Sequence, residues 1–92
     1  MIIEYDEGKN QRNIYERALN FEDARRFDFS TAVIEADLRR PYPETRYVAL
    51  GYLCERLHVL CFSPIRGGIR VISFRKANTR EVKNYERTRT TH

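Results

Sequence analysis

From Ile69 to Phe74 the chain alternates Ile69, Val71 and Ser73 with Arg70, Ile72 and Phe74, and its β-branched residues favour a pleated backbone. A strand is predicted there. After Lys76 the period changes: Asn78 stands three residues before Glu81, a spacing that lets each side chain satisfy a free backbone N–H at a helix start. A helix follows to about Glu86, with Glu81 and Tyr85 spaced i,i+4 on one face. Upstream, RYVALGYL (46–53) and LHVLCF (57–62) are two more strand candidates, so that with IRVISF (69–74) the chain forms an antiparallel meander. Its connections are a tight turn near Glu55 and the PIRGG loop, where Gly67 and Gly68 are free to take positive φ.

The N-terminal half is patterned differently. MIIEY is short and apolar enough for a first strand, and Asp6 is placed to cap a helix from Glu7 to about Arg17. Gly8, Asn10 and Asn13 weaken that helix, and Ile14 and Ala18 are its expected inward positions. Asn20, with Asp23 three positions on, caps a second short helix whose apolar side is Phe21, Ala24 and Phe27. Thr31 to Ala36 is a strand, and 37–45, with Pro41 and Pro43, is an exposed connection. The whole predicts one α+β domain over 1–92: two short N-terminal helices packed on an antiparallel sheet, with a C-terminal helix. The last six residues, RTRTTH, are expected to fray.

With 92 residues and 41% hydrophobic content, the chain has a small core and little stability in reserve. No apolar run approaches the ~20 residues that cross a bilayer, and the start MIIEYDEGK is acidic where a signal peptide is basic, so a cytosolic protein is expected. The cysteines agree. A hairpin turning at Glu55 and Arg56 sets Cys54 opposite Leu57, four residues from Cys61, roughly 13 Å of strand and too far for a disulfide. Both are read as reduced thiols.

Charge divides the chain. Residues 1–45 hold seven Lys/Arg against ten Asp/Glu, net −3, and residues 46–92 hold ten against three, net +7, which together give +4. A basic half points to a phosphate-rich partner or an acidic protein surface, or is simply a solvated face. Arg70, Arg75, Lys76 and Arg80 crowd the strand–helix join, where free N–H groups also suit an anion. Neither a zinc-ligand spacing nor a glycine-rich phosphate loop is present, and no cofactor is implied. His58 alternates with Leu57 and Val59 and shares its face with Leu60 and Phe62, the setting of a sheet histidine.

YDEGKNQRN, NFEDARRF, TRYVALG and IRVISFRKANTREVKNYE together resemble the BrnT toxins of bacterial toxin–antitoxin systems. The likeness is most specific at Arg70, Ser73, Arg75, Ala77, Glu81 and Tyr85, and adds Asp6, Lys9, Asn13, Phe21 and Ala24. One segment departs: where the family reads Lys-His-Gly after the first helix, this chain has Glu16, Arg17 and Ala18. The resemblance implies a RelE-like fold and an endoribonuclease that halts translation. It also implies a BrnA-like ribbon-helix-helix antitoxin as partner, through which alone the complex would meet DNA.

Such cleavage needs no metal if the ribose 2′-OH attacks the adjacent phosphorus, but it needs a proton acceptor, a donor, and cations for the growing phosphate charge. Arg70 and Arg75 are the candidates for the cations, since the guanidinium fork stays charged and binds two phosphate oxygens. Regular alternation puts them on opposite faces, so they serve one site only if the strand ends or bulges before Arg75. Glu81 is the candidate acceptor, and Tyr85 the candidate donor or stacking ring. Against these stand plainer roles: Arg75 paired with Glu81, Glu81 as a cap, Tyr85 packed on the sheet. Lys9, Arg46, Lys76 and Arg80 are secondary RNA contacts. A non-catalytic module binding an acidic antitoxin segment is the alternative.

Overall fold

The computed structural model describes residues 1–90. Its elements in chain order are β1 (Ile2–Glu4), α1 (Glu7–Arg17), a 3-10 helix (Phe21–Arg26), β2 (Asp28–Ala36), β3 (Tyr47–Leu53), β4 (Arg56–Ile65), β5 (Gly68–Lys76) and α2 (Thr79–Thr90). The α+β succession is the expected one. Asp6 caps α1 by accepting from the Lys9 N–H at 2.9 Å, and Asn20 caps the 3-10 helix by accepting from the Glu22 N–H at 2.9 Å.

The five strands lie in the order β1-β5-β4-β3-β2. The sheet is mixed, which corrects the wholly antiparallel expectation: β1 runs parallel to β5, with Ile2 beside Gly68 and Glu4 beside Arg70. Gly68 is what permits this, because a Cβ there would fall 1.9 Å from the Ile2 carbonyl oxygen. Its glycine serves close approach; of the two glycines in the PIRGG loop, Gly67 alone turns at positive φ, 82°.

Four further expectations need correction. The β3–β4 turn is Cys54-Glu55, with Leu53 facing Arg56 and Tyr52 facing Leu57. Cys54 therefore sits exposed in the turn at φ 55° instead of within a strand, while Cys61 is buried; both thiols are free. Ala18 does not point inward, since it is exposed at φ 54° and ends α1 by donating its N–H to the Ile14 carbonyl at 2.9 Å. Asp37, in the connection expected to be exposed, is buried. Finally, α2 runs past Glu86, the expected end of the helix, to Thr90, and residues 91–92 lie outside the described ones.

One face of the sheet is closed. Phe21, Ala24 and Phe27 of the 3-10 helix pack with Leu60, Phe62, Ile69, Val71 and Phe74, and Leu60 and Phe74 are fully buried. α1 lies along β5 beyond Arg70, where β1 has ended. Asn13 ties it there, donating to the carbonyls of Leu19 at 2.9 Å and Phe74 at 3.0 Å. Asn10, likewise buried, accepts from the Phe21 N–H at 2.8 Å and donates to Asn20 at 3.1 Å. Polar residues that weaken a helix by propensity thus fasten this one to its neighbours.

The opposite face is only partly covered. α2 crosses it with Val82 and Tyr85 against Leu57, Val59, Leu50 and Tyr52. Tyr85 donates its hydroxyl to the Thr31 carbonyl at 2.6 Å and meets Tyr52 edge to face at 5.7 Å.

Candidate active site

β5 carries a bulge. Cys61 pairs with Ser73 but the next residue, Phe62, pairs with Val71, so Ile72 is the extra residue. Ile69, Val71 and Phe74 consequently all enter the closed core, and Arg70, Ser73 and Arg75 turn to the open face. The condition on which the two arginines could share a face is met.

They do not share a pocket. A cavity of about 410 Å³ opens on this face at the start of α2, with Arg75, Ser73 and Glu81 on one side, Val59 and Cys61 on its floor, and Glu35, Asp37 and Arg39 opposite. Arg70 is not among its lining residues; it pairs with Glu4 of β1 at 2.8 Å in half-exposed surroundings. Five residues of strand separate the arginines by roughly 16 Å.

Arg75 forms a two-pronged pair with Glu81, Nη1 to Oε1 and Nη2 to Oε2, each at 2.8 Å. Glu81 also accepts from the Asn78 N–H at 2.9 Å while its own N–H donates to Asn78 Oδ1 at 2.8 Å, the reciprocal cap. The bonds from Arg75 hold the Glu81 carboxyl below its ordinary range, and Glu81 in turn raises Arg75. Across the cavity Asp37, its side chain 1% exposed, is strapped by Arg39 at 2.7 Å. That contact lowers its carboxyl from 3.8 to about 2.

The positive charge here is denser than strand spacing suggests. Lys9, Arg39 and Arg46 all act electrostatically on the Cys61 thiol, although burial, followed by Asp37, pushes that thiol up. A smaller cavity, about 240 Å³, joins Arg75 to Lys76, Leu19 and Arg17, one of the residues that replace Lys-His-Gly. Of the other candidates, Arg80 is exposed in the first turn of α2, and Arg46 lies 4.0 Å above the Tyr42 ring while pairing with Glu44 at 2.6 Å. His58 is buried with Nδ1 2.8 Å from the Arg56 carbonyl, and burial lowers its proton affinity. Among the described residues no group of three or more His, Cys, Asp or Glu is arranged to hold a metal ion.

A family model described as the ribonuclease toxin BrnT of type II toxin–antitoxin systems matches residues 5–81, which include every lining residue of the Arg75 cavity. The chain belongs to the BrnT family. The crystal structure of the Brucella abortus ribonuclease toxin BrnT, solved at 1.1 Å, agrees with the fold at a TM-score of 0.62 and 28% identity, over 84% of this chain and 96% of that one. No curated protein matches the chain.

As a BrnT family member the chain is a ribonuclease toxin of a type II toxin–antitoxin system, and an antitoxin partner follows from that class. Glu35 and Arg39 of the Arg75 cavity were given no role in reading the sequence, while Ser73 and, in the smaller cavity, Arg17 were named only as a point of family likeness and a point of departure from it. Ser73 and Arg39 carried a usable signal, one in the Ser-x-Arg pattern of β5 and the other two residues from Asp37. Glu35 and Arg17 become neighbours of the site only through the sheet order and the docking of α1.

Proposed function

We propose that the Arg75 cavity is the active site of a metal-independent endoribonuclease. The observation that carries this is that Arg75 and Arg39 line one open, acid-lined cavity on the bulged face of β5, with Arg75 also lining the smaller cavity that holds Arg17 and Lys76. Arg75 takes the scissile phosphate, and its fork exchanges the Glu81 carboxylate for two phosphate oxygens. Once released from the guanidinium, Glu81 gains proton affinity and accepts the 2′-OH proton. The 2′ oxygen bonds to phosphorus, the bond from phosphorus to the 5′ oxygen breaks, and the 5′ oxygen takes a proton from water. The products are a 2′,3′-cyclic phosphate and a 5′-hydroxyl end. Arg70, Lys76, Arg80 and Arg46 contact phosphates along the flanking strand, and Tyr85, its hydroxyl committed to Thr31, positions α2 and hence Glu81.

In the cell this activity would halt translation in the cytoplasm until a BrnA-like ribbon-helix-helix antitoxin neutralises it, with DNA met only through that antitoxin. The RelE-like likeness of the fold belongs to the same reading. A second reading has its own observation, the carboxylate already held by each arginine: an acidic antitoxin segment could replace Glu4 and Glu81, making the face a docking surface without catalysis.

Incubation of the antitoxin-free protein with RNA in EDTA separates them. Cleavage to cyclic-phosphate ends is expected, and Arg75→Ala should slow it about 10²–10³-fold with little change in thermal midpoint, while Arg70→Ala should weaken RNA binding more than turnover. Intact RNA beside normal antitoxin binding would establish the second reading instead.

A further inference from the structure

The Arg75 cavity does not end at Glu35. Glu35 and Val48 also line a second cavity of about 250 Å³, which continues along the open face between α2 and β2 with Val33, Leu50 and Tyr85 as its apolar walls. Beside Thr88, whose hydroxyl donates to the Asn84 carbonyl at 2.9 Å, its polar lining residues are Glu35 and Asn84. Both residues are exposed, and neither side chain makes a hydrogen bond or ion pair with the described residues. Asn84 and Tyr85 stand three and four residues after Glu81, so one stripe of α2 walls both cavities.

The geometry points to this second cavity as the nucleobase subsite of the ribonuclease, holding a base of the nucleotide whose phosphate lies on Arg75. The inference rests on the endoribonuclease reading and deepens it. A base is flat and apolar across its faces but carries donors and acceptors at its edge, and a slot with aliphatic and aromatic walls and free polar groups in its lining matches both. The order along the face, cationic cavity then apolar slot, is the order of phosphate and base within one nucleotide.

The lining chemistry also selects. A carboxylate can only accept, so Glu35 favours a base whose edge offers an amino group, guanine, adenine or cytosine, over uracil, whose one ring N–H stands between two carbonyls. Asn84 both donates and accepts, and completes the contact. Glu35 lies within the residues matched by the family model, and Asn84 lies three residues beyond them.

Two readouts test the subsite with the full chain. Cleavage of short RNAs differing in one base beside the scissile phosphate should favour guanine, adenine or cytosine over uracil by about tenfold. In Glu35→Gln and Asn84→Ala the ratio should fall towards one. Binding of matching 2′-O-methyl oligonucleotides, which cannot be cut, should show the same preference and the same loss. Equal ratios in wild type and variants overturn the subsite, as does weaker antitoxin binding in the variants with base preference untouched. If RNA is never cut but the 2′-O-methyl preference appears and vanishes as stated, the catalytic reading falls and the subsite stands; if neither appears, both fall.

Discussion

The two faces of this sheet differ in what covers them. On the closed face the 3-10 helix drives aromatic rings into the sheet, and Leu60 and Phe74 have no exposed surface. On the open face one polar helix crosses an apolar patch, held by Val82, Tyr85 and the Arg75–Glu81 pair. The first arrangement spends its residues on exclusion of water and leaves nothing free to react. The second keeps charged groups at an open cavity, with stability supplied from the other side of the same strands. β5 belongs to both, and the bulge at Ile72 allows it to: three core side chains go one way and Arg70, Ser73 and Arg75 the other.

The sharpest way to break this contrast is Phe74→Ala. Emptying the closed core should cost about 3–5 kcal/mol, a large share of the roughly 5–15 kcal/mol expected of any domain, and a denaturant titration should show loss of most of the folded baseline. Tyr85→Phe acts on the other face. Losing one hydrogen bond to the Thr31 carbonyl should cost about 1 kcal/mol, read as a small shift in denaturant midpoint with the fold intact. A cost equal to that of Phe74→Ala would mean that the two faces are equally structural.

The last effect is the acid dependence at Asp37. Its folded carboxyl is lowered from 3.8 to about 2 by Arg39, so its contribution is complete above pH 4 and disappears as pH falls through 2. Asp37→Asn should therefore flatten the decline of thermal midpoint between pH 4 and 2 while other acid losses persist. An unchanged slope would remove Asp37 from the account.

Local signals and long-range ones were unequally legible. The caps at Asp6, Asn20 and Asn78 sit where short-range hydrogen bonding requires them, and the β3–β5 meander follows from alternation alone. The parallel pairing of β1 was hidden because its partner lies 66 residues away along the chain, and the one trace of it, Gly68, looked like half of a turn. Asn10 and Asn13 looked like helix weaknesses because propensity describes an isolated helix, whereas here each amide has partners outside α1. At the site, the Arg75–Glu81 pair was foreseeable from a six-residue separation across a strand–helix join. The placement of Glu35 and Arg17 beside it was not, since only the order of strands and the angle of α1 bring them there.

The pairing of Ile2 with Gly68 has a consequence for the life of the chain. β1 finds its place in the sheet only when residues 68–70 of β5 have been made, so the sheet cannot close before then. Arg75 and Glu81 also emerge after that point. For a toxin whose proposed target is RNA, harm is thereby deferred until β5 and the start of α2 have been made.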